Sequence, residues 1–517
     1  MPPTLVFVRS TRRLDSTAIF VFIFLLYGLL VSWQARTTSP WDNEAWFADP
    51  ALNLIHKGFM GTTILESKGS WMEGMDRHTY WILPLHVLAQ AGWYKLFGFS
   101  LLTLRWLSVF WGAVVLCAWY FLMRRLSQDP RVALLSVGLL TVDYHFTSVA
   151  ALGRMDAMCA GLGWAGCAVY VCMRERNLRV AVVSSNVLVA ASCFTHPCGA
   201  LYFVILSVLT MYYDHARLGW KEIMVAGSPY LAGMGAWGVY ILQSPTQFWS
   251  QFSGNASGIA GEFTEMNRWS GLKAPFGAFY GEIRRYLAVF DWYGATSFWM
   301  RFQASILVLY GLGILCVLFT PSIRRQPGPR VLLICGVLFY SFLALFEGLK
   351  SRTYIVHTLP IAAGLLAMSI AHYMSVDGMG HGLPWTRRGA VAVLTGFLCL
   401  QLGYGIQSSW FPQEKWNYAA MLRFLADHAT PSSQIVGGAE LAFDLGFDSN
   451  LIDDPRLGYY SGKRADYIVA NTVYRGWFQR SKTRYPKIYE HIQGDLRTAY
   501  REVFHNTSYT VYQRIVD

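Results

Sequence analysis

The chain has 517 residues, of which 54% are hydrophobic and only 14% are charged. This balance excludes an ordinary soluble globular protein, and apolar runs of about 18 or more residues, long enough to cross a bilayer core, recur along the sequence. The formal net charge of +12 does not indicate nucleic-acid binding. The basic residues lie in short clusters between the apolar runs, as they do in the cytoplasmic loops of membrane proteins.

The first apolar run is STAIFVFIFLLYGLLVSW, and it follows Arg9, Arg12 and Arg13, which places the N-terminus on the cytoplasmic side. Further spans are predicted near residues 101–123, 131–149, 155–173, 180–195, 198–213, 222–242, 297–319, 330–346, 353–373 and 388–406. With about eleven spans, every basic turn falls inside and the C-terminus lies outside.

Two loops on the outer face are long and cover about residues 35–100 and 243–296. The first contains YWILPLHVLAQAGWYKLFG, whose aromatic residues are typical of the headgroup region. The second contains GAFYGEIRRYLAVFDWYG, whose pattern predicts an amphipathic helix on the membrane surface.

The composition changes near residue 408. WNYAAMLRFLADHA predicts an amphipathic helix, and strands are predicted within SQIVGGAELAFDLGF, ADYIVANTVY and SYTVYQRIV. We therefore expect a polytopic α-helical membrane domain over residues 1–407 and a small extracytoplasmic α/β domain over residues 408–517.

Acidic residues crowd the start of the first outer loop. The stretch WDNEAWFADP places Asp42, Glu44 and Asp49 among aromatic residues directly after the first span. Charges at the membrane edge are rare and usually face a cavity or one another. Any one of them alone could be an ordinary ion pair or loop charge, but together they predict a single polar site open to the outer face. The further ionisable residues at outer span ends are Asp143, His145, Arg154, Asp156, His196, Glu347, Lys350, Arg352 and His357.

Four stretches, taken together and in this order, resemble the GT-C superfamily of polyprenyl-phosphate-sugar-dependent glycosyltransferases. They are WDNEAWFADPALNLIHKG, YWILPLHVLAQAGWYKLFGFSLLTLRWLSVFWG, the Arg-x-Asp of ALGRMDAM, and the basic–aromatic–Pro start of a late span in KSRTYIVHTLPIAAGLLA. Within the superfamily, the chain is similar to the bacterial branch related to protein O-mannosyltransferases and to lipid A aminoarabinose transferases.

The resemblance implies a reaction. Residues 1–407 would be the catalytic domain of a glycosyltransferase of the bacterial inner membrane. The enzyme would move a hexosyl or pentosyl group from a polyprenyl-phosphate-linked donor to a hydroxyl of a glycan, lipid or protein acceptor, with inversion at the anomeric carbon. Such chemistry needs a carboxylate that takes the hydroxyl proton and cations that stabilise the leaving phosphate.

The resemblance also implies roles for the acids. Asp42 would be the general base, and Glu44 and Asp156 would orient the acceptor. No cofactor is required by the pattern, but a divalent metal ion is left open, with Glu44 and Asp156 as its candidate ligands. The alternative for Asp42 is that it only caps the helix predicted over EAWFADPALNLI, as aspartate commonly does.

The donor phosphate would be met by cations near the late span. Lys350 and Arg352, beside Tyr354, are the main candidates, and Arg154 is a further one. Many relatives have a Lys-Pro-Pro before the aromatic stretch, but here the region reads GMDRHTYW and that lysine is absent. The residues that could replace it are Arg77 and His78.

Two other classes of protein compete with this interpretation. A transporter or flippase of a lipid-linked substrate would show paired halves and helices broken by Gly or Pro at matching positions, and the sequence shows neither. A membrane scaffold without catalytic activity would leave Asp42, Glu44 and Asp156 unexplained.

Overall fold

The structure is a computed structural model that describes residues 16–257, 270–290, 298–348, 350–375, 384–410 and 413–515. The arginines Arg9, Arg12 and Arg13, on which the cytoplasmic placement of the N-terminus partly depends, lie outside these ranges. Two parts of the predicted second outer loop, 258–269 and 291–296, also lie outside them.

Helices form most of the described residues up to residue 410. In chain order they are α1 Ser16–Thr37, α2 Asp42–Lys57, α3 Pro84–Phe97, α4 Leu101–Ser127, α5 Pro130–Val142, α6 Tyr144–Ala150, α7 Met155–Met173, α8 Leu178–Thr195 and α9 Gly199–Asp214. They continue as α10 Trp220–Ile241, α11 Pro245–Ser257, α12 Ser270–Lys273, α13 Pro275–Val289, α14 Phe298–Phe319, α15 Pro321–Arg324, α16 Pro327–Phe346, α17 Leu359–Ser375 and α18 Pro384–Trp410. A 3₁₀ helix, Arg352–His357, precedes α17.

Each predicted span coincides with a helix or with two helices separated by a break. Within the described ranges, six helices are long and apolar enough to cross a membrane, or seven if the bent pair α5 and α6 forms one span. Two shorter apolar helices, Gln303–Phe319 and Leu359–Ser375, add to them. The helical membrane class is thus confirmed, whereas the predicted number of about eleven spans is not.

The break between α5 and α6 is built around Asp143. The two helices meet at an angle of 68°, and the Asp143 carboxylate caps α6 by accepting the backbone N–H of Phe146 at 2.9 Å. Tyr310 and Gln401 each donate to the other carboxylate oxygen at 2.7 Å. These bonds come from α14 and α18 and satisfy a fully buried acid, so Asp143 is part of the framework rather than of an open site.

Large aromatic side chains fill the centre of the helical bundle. The rings of Trp119 and Trp164 meet edge to face at 4.8 Å, and Trp164 stacks on Phe339 at 5.6 Å. The Trp119 indole N–H donates to Ser136 at 2.7 Å. This packing joins α4, α5, α7 and α16 into one core and holds α4 and α7 together, from whose N-terminal ends site residues extend.

The last part of the chain forms a small α/β unit. Its elements are α19 Gln413–His428, β1 Ile435–Gly437, α20 Ala442–Leu445, β2 Leu451–Ile452, β3 Tyr467–Ala470, α21 Thr472–Arg484, α22 Pro486–Thr498, β4 Tyr500–His505 and β5 Thr510–Arg514. Within the described residues the strands form a five-stranded sheet in the order β2-β1-β3-β5-β4. The first three are parallel, and β5 pairs antiparallel with β3 and β4.

The segment between α2 and α3, the predicted first outer loop, extends this sheet at its β2 edge. Leu65 pairs with Asp453 in a parallel bridge, in which Asp453 N–H donates to Ile64 C=O at 2.8 Å and Glu66 N–H donates to Asp453 C=O at 3.1 Å. A hydrophobic core is shared across the junction, and its buried members include Ala45, Ile64, Leu65, Met72, Met75, Tyr418, Met421, Leu425, Ile435 and Leu451. The start of α2 is therefore fixed against the C-terminal unit as well as against the membrane helices.

Candidate active site

Asp42 is the first residue of α2 and lies at the junction of the membrane helices and the C-terminal unit. Trp41 is the N-cap residue, and its backbone N–H is accepted by the Glu44 side chain at 3.1 Å. The Asp42 side chain is 5% exposed. Among the described residues it makes no hydrogen bond to another side chain, so its carboxylate is held in place by the backbone and left available to a ligand.

Glu44 is fixed by Arg105 from α4. Arg105 donates from Nε and Nη2 to the two Glu44 carboxylate oxygens at 2.8 and 2.7 Å, and Gly153 N–H donates to the same carboxylate at 2.7 Å. The arginine also donates to the backbone carbonyls of Ala35, Thr38 and Ser39 at the end of α1. This pair orients the turn that carries Asp42, and Glu44 has no free oxygen with which to orient an acceptor.

Arg154 and Asp156 form a second fixed pair at the start of α7. Arg154 Nε donates to Asp156 at 2.8 Å, and the Thr353 hydroxyl donates to the other oxygen of Asp156 at 3.2 Å. The guanidinium lies 5.1 Å from the ring centres of Trp41 and of Phe47. Asp156 thus positions Arg154 beside the start of α2, where the cation faces the same cavity as Asp42.

A cavity of about 410 Å³, called the first cavity below, lies where the start of α2 meets Arg154. Its wall combines the predicted residues Asp42, Arg154 and Tyr354 with the aromatic rings of the first loop. His196, in the break between α8 and α9, also lines the first cavity, and its Nε2 forms a hydrogen bond of 3.2 Å with the Tyr354 hydroxyl. A cation that the sequence did not indicate, Arg480 of α21, reaches the same cavity from the C-terminal unit.

Four predicted donor-binding residues do not line this cavity. Lys350 Nζ donates to the carbonyls of Leu343 and Ala344 and forms an ion pair with Glu282 at 3.3 Å. Arg352 is exposed and has no ion pair within the described ranges. Arg77 is exposed, and His78 stacks on Tyr80 at 6.0 Å on the side of the first loop that faces α10 and α11.

A second cavity, of about 300 Å³, is also lined by Asp42. Glu440, which follows β1, and Glu414, which begins the C-terminal unit, line it together with Asp42. Its other lining residues are Thr38, Ser39, Pro40, Trp41, Leu152, Asn471, Thr472, Val473, Ser508 and Tyr509. Asp42 is therefore the acid that the two cavities share.

The buried carboxylates of Asp42, Glu440 and Asp453 lie near one another, and each raises the pKa of another. Burial raises the pKa of Asp42 well above the usual range of an aspartate, and the charge of Glu440 raises it further. Burial likewise raises the pKa of Glu440. Asp453, which accepts the Trp46 indole N–H at 2.8 Å and the Tyr474 hydroxyl at 2.7 Å, has its pKa raised by burial and by Asp42 to about 7. Such groups exchange protons near neutral pH, as a general base must.

The predicted metal ligands do not fit a divalent ion. The oxygens of Glu44 hold Arg105, and those of Asp156 hold Arg154 and Thr353. Another group with metal-binding side chains, Cys159, His196 and His357, is buried with its donor atoms within 4.8 Å of one another. Both nitrogens of His196 already have partners in Cys198 N–H and the Tyr354 hydroxyl, so this group lacks three free donors.

No protein-family model and no curated protein sequence matches the chain significantly. Solved structures do match it. ArnT from Cupriavidus metallidurans bound to undecaprenyl phosphate aligns with a TM-score of 0.58 at 12% identity, covering 96% of this chain and 98% of that chain. AglB from Archaeoglobus fulgidus, in complex with an inhibitory peptide and a dolichol-phosphate, aligns at 0.54 and 12%, covering 97% and 74%. The arabinofuranosyltransferase AftD from Mycobacteria aligns at 0.50 and 14%, covering 98% and 40%.

At these identities the likeness establishes the fold. The chain shares the GT-C fold of these structures over 96–97% of its length, and the resemblance stated from the four sequence stretches is confirmed at the level of the fold.

Proposed function

We propose that the protein is a membrane glycosyltransferase that moves a sugar from a polyprenyl-phosphate-linked donor to an acceptor hydroxyl. The observation that carries the proposal is that Asp42 lines two cavities, one with arginines in its wall and one with acids. The fold adds support, because the similar ArnT and AglB structures hold undecaprenyl phosphate and dolichol-phosphate, respectively.

The first cavity suits the donor. Arg154 and Arg480 bring two guanidinium groups to it, and guanidinium is well matched to phosphate oxygens. The aromatic side chains, among them Trp41, Trp71 and Trp81, offer flat apolar surfaces to a sugar ring or to the first isoprene units. We assign the donor phosphate to Arg154 and Arg480 in preference to Lys350 and Arg352, because the latter two do not line the cavity.

The reaction that this arrangement supports is a single displacement. The acceptor oxygen forms a bond to the anomeric carbon while the bond between that carbon and the phosphate oxygen breaks. The electron pair leaves with the polyprenyl phosphate, where the arginines stabilise its charge. The hydroxyl proton passes to the Asp42 carboxylate. One displacement inverts the anomeric configuration, whether the sugar is a hexose or a pentose.

Release of polyprenyl phosphate tests this function. Purified full-length protein is mixed with labelled polyprenyl-phosphate sugars and a membrane extract that supplies acceptors, and free polyprenyl phosphate is measured with time. We expect release that depends on the enzyme and on the extract. Movement of intact donor across a vesicle membrane, with no release of the lipid phosphate, would instead establish the flippase alternative.

Arg480→Gln is expected to weaken donor binding about tenfold, since a hydrogen bond to a charged group is worth about 1.5 kcal/mol or more. Lys482→Gln is the matched control, because Lys482 is an exposed cation on the same helix that does not line the cavity. Donor affinity is measured by titrating the labelled lipid. Equal effects of the two changes, or a larger effect of Arg352→Gln, would move the phosphate away from Arg480.

We also propose that the site faces the outside of a bacterial inner membrane, with a cytoplasmic N-terminus. Residues 408–517 should then be external. A cysteine introduced at the exposed Ser432, after replacement of the native cysteines, is expected to react with an impermeant thiol reagent in intact cells. Reaction only after lysis would invert the proposed orientation.

A further inference from the structure

The polar groups that line the second cavity are acids and neutral groups, and the remaining lining residues, Pro40, Trp41, Leu152 and Val473, are apolar or aromatic. Among its lining residues there is no lysine, arginine or histidine, whereas Asp42, Glu414 and Glu440 all contribute to its wall. Hydroxyl and amide groups of Thr38, Ser39, Asn471, Thr472, Ser508 and Tyr509 surround these acids. The first cavity, by contrast, contains two arginines. The two cavities that share Asp42 therefore differ in the charge of their other ionisable lining residues.

Glu440 has one oxygen committed and one available. Its Oε1 accepts the Asn471 amide at 2.8 Å and the Tyr509 hydroxyl at 3.4 Å. Its Oε2 is buried and has no hydrogen-bond partner among the described residues, although the residue is only 2% exposed. A buried oxygen without a partner is costly, which points to a ligand that donates to it.

The backbone leaves room for this oxygen. A Cβ atom at Gly438 would lie 2.1 Å from Glu440 Oε2. Glycine at that position therefore leaves space for the Glu440 carboxylate at the cavity wall, and an alanine would displace it.

We propose that the second cavity is the acceptor site, in which Glu440 of the C-terminal unit accepts a hydrogen bond from the acceptor group that reacts at Asp42. The charge of the lining further assigns the class of acceptor. Its reacting end is a neutral polyhydroxyl or an ammonium-bearing hydroxyl compound, because an anionic group such as a phosphate would enter next to buried carboxylates without a counter-ion. This inference depends on the proposed glycosyl transfer for its meaning, but its test does not.

A cysteine at Ser508 measures the cavity directly, because Ser508 is a half-buried lining residue. In full-length protein free of native cysteines, its modification by a thiol reagent is followed with three sugars of similar size. Methyl glucoside is neutral, glucosamine is cationic and glucose 6-phosphate is anionic. We expect methyl glucoside and glucosamine to slow the reaction at least tenfold more effectively than glucose 6-phosphate. The exposed Ser432→Cys protein, which should show no protection, is the control.

Glu440→Gln and Gly438→Ala test the role of the carboxylate. Both are expected to reduce protection by glucosamine about tenfold, and neither should alter donor affinity. Protection by glucose 6-phosphate alone, or by none of the three sugars, would overturn the inference even if polyprenyl phosphate is still released. Absence of lipid-phosphate release with intact, charge-selective protection would overturn the proposed transferase and leave the acidic binding site standing.

The pH dependence of kcat/KM distinguishes a role of Glu440 in the acceptor site from a purely structural role. The charged groups around Asp42 are Glu44, Arg154, Glu414, Glu440, Asp453 and Arg480. Removal of the Glu440 charge lowers the pKa of Asp42, so Asp42 remains ionised in more acidic solution. The acidic limb of kcat/KM for lipid-phosphate release should therefore move to lower pH in Glu440→Gln. A reduced rate with an unmoved limb would assign Glu440 to the framework only.

Discussion

Replacement of Asp42 by asparagine is expected to lower sugar transfer by roughly 10²–10⁴-fold, the range typical of a lost general base. Asparagine keeps the size of the side chain but cannot accept the proton of the acceptor hydroxyl. Expression and donor binding should stay near those of the unaltered protein, because Asp42 makes no ion pair among the described residues. Initial rates of polyprenyl phosphate release measure the effect.

Asp49→Asn is the matched control on the same helix. Asp49 is also buried, but its carboxylate accepts the backbone N–H groups of Thr63 and Ile64 and so holds the first loop. This change should lower stability and leave the rate per folded molecule nearly unchanged. The helix-cap alternative for Asp42 is weakened because Trp41 is the N-cap residue. Normal transfer by a folded Asp42→Asn protein would nevertheless pass the base role to another acid of the site.

The thermal stability of Asp42→Asn should depend on pH differently from that of the unaltered protein. The folded pKa of Asp42 is raised above its unfolded value, so its contribution to stability is complete below the unfolded pKa and is lost as pH rises through the folded pKa. Asparagine does not ionise and avoids this loss. We therefore expect the thermal stability of Asp42→Asn relative to the unaltered protein to increase from pH 5 to pH 9.

Arg105→Met is expected to destabilise the protein by roughly 3–5 kcal/mol, because it leaves the buried Glu44 carboxylate without its counter-ion. Arg105 is 1% and Glu44 0% exposed, and their ion pair measures 2.7 Å. The change also removes the donors that join the end of α1 to α4. Thermal unfolding in detergent should show the loss, together with reduced yield.

A double variant distinguishes the effect of the unpaired Glu44 charge from the effect of the lost Arg105 side chain. Adding Glu44→Gln to Arg105→Met removes the unpaired charge and should restore part of the stability. The surface pair Arg179 and Glu222, 3.5 Å apart with Arg179 68% exposed, is the matched control. Exposed pairs contribute about 0–1 kcal/mol, so Arg179→Met should have little effect. A comparable loss in both single variants would mean that the Arg105 pair is no more important than a surface contact.

Hydropathy and local pattern predicted much of this fold. The predicted spans coincide with helices because a bilayer requires long apolar segments, and the strands of SQIVGGAELAFDLGF, ADYIVANTVY and SYTVYQRIV appear as β1, β3 and β5. The sequence also predicted that Asp42 and Arg154 belong to one polar site, and both residues line the same cavity. These predictions rest on the hydropathy and pattern of neighbouring residues, or on the position of a charged residue at the end of a predicted span.

The unpredicted residues depend on contacts across the chain. Arg480 and Glu440 lie in the C-terminal unit, about 400 residues from Asp42 in sequence, and no local pattern in one sequence indicates that they meet the first loop. Lys350 illustrates the opposite case. It has the charge expected of a phosphate-binding residue, but Glu282, from the second long loop, pairs with it. A single sequence does not specify which of several acids a lysine will meet.

The bridge between Leu65 and Asp453 has a consequence for the timing of activity. A chain is synthesised from its N-terminus, so the first loop is made long before the segment around Asp453 that pairs with it. Until that segment arrives, Trp46 has no carboxylate to accept its indole N–H, and neither cavity has its C-terminal wall. Both cavities are thus completed only when the C-terminal unit has been synthesised, and under the proposed function a chain arrested before that point would not consume lipid-linked sugar.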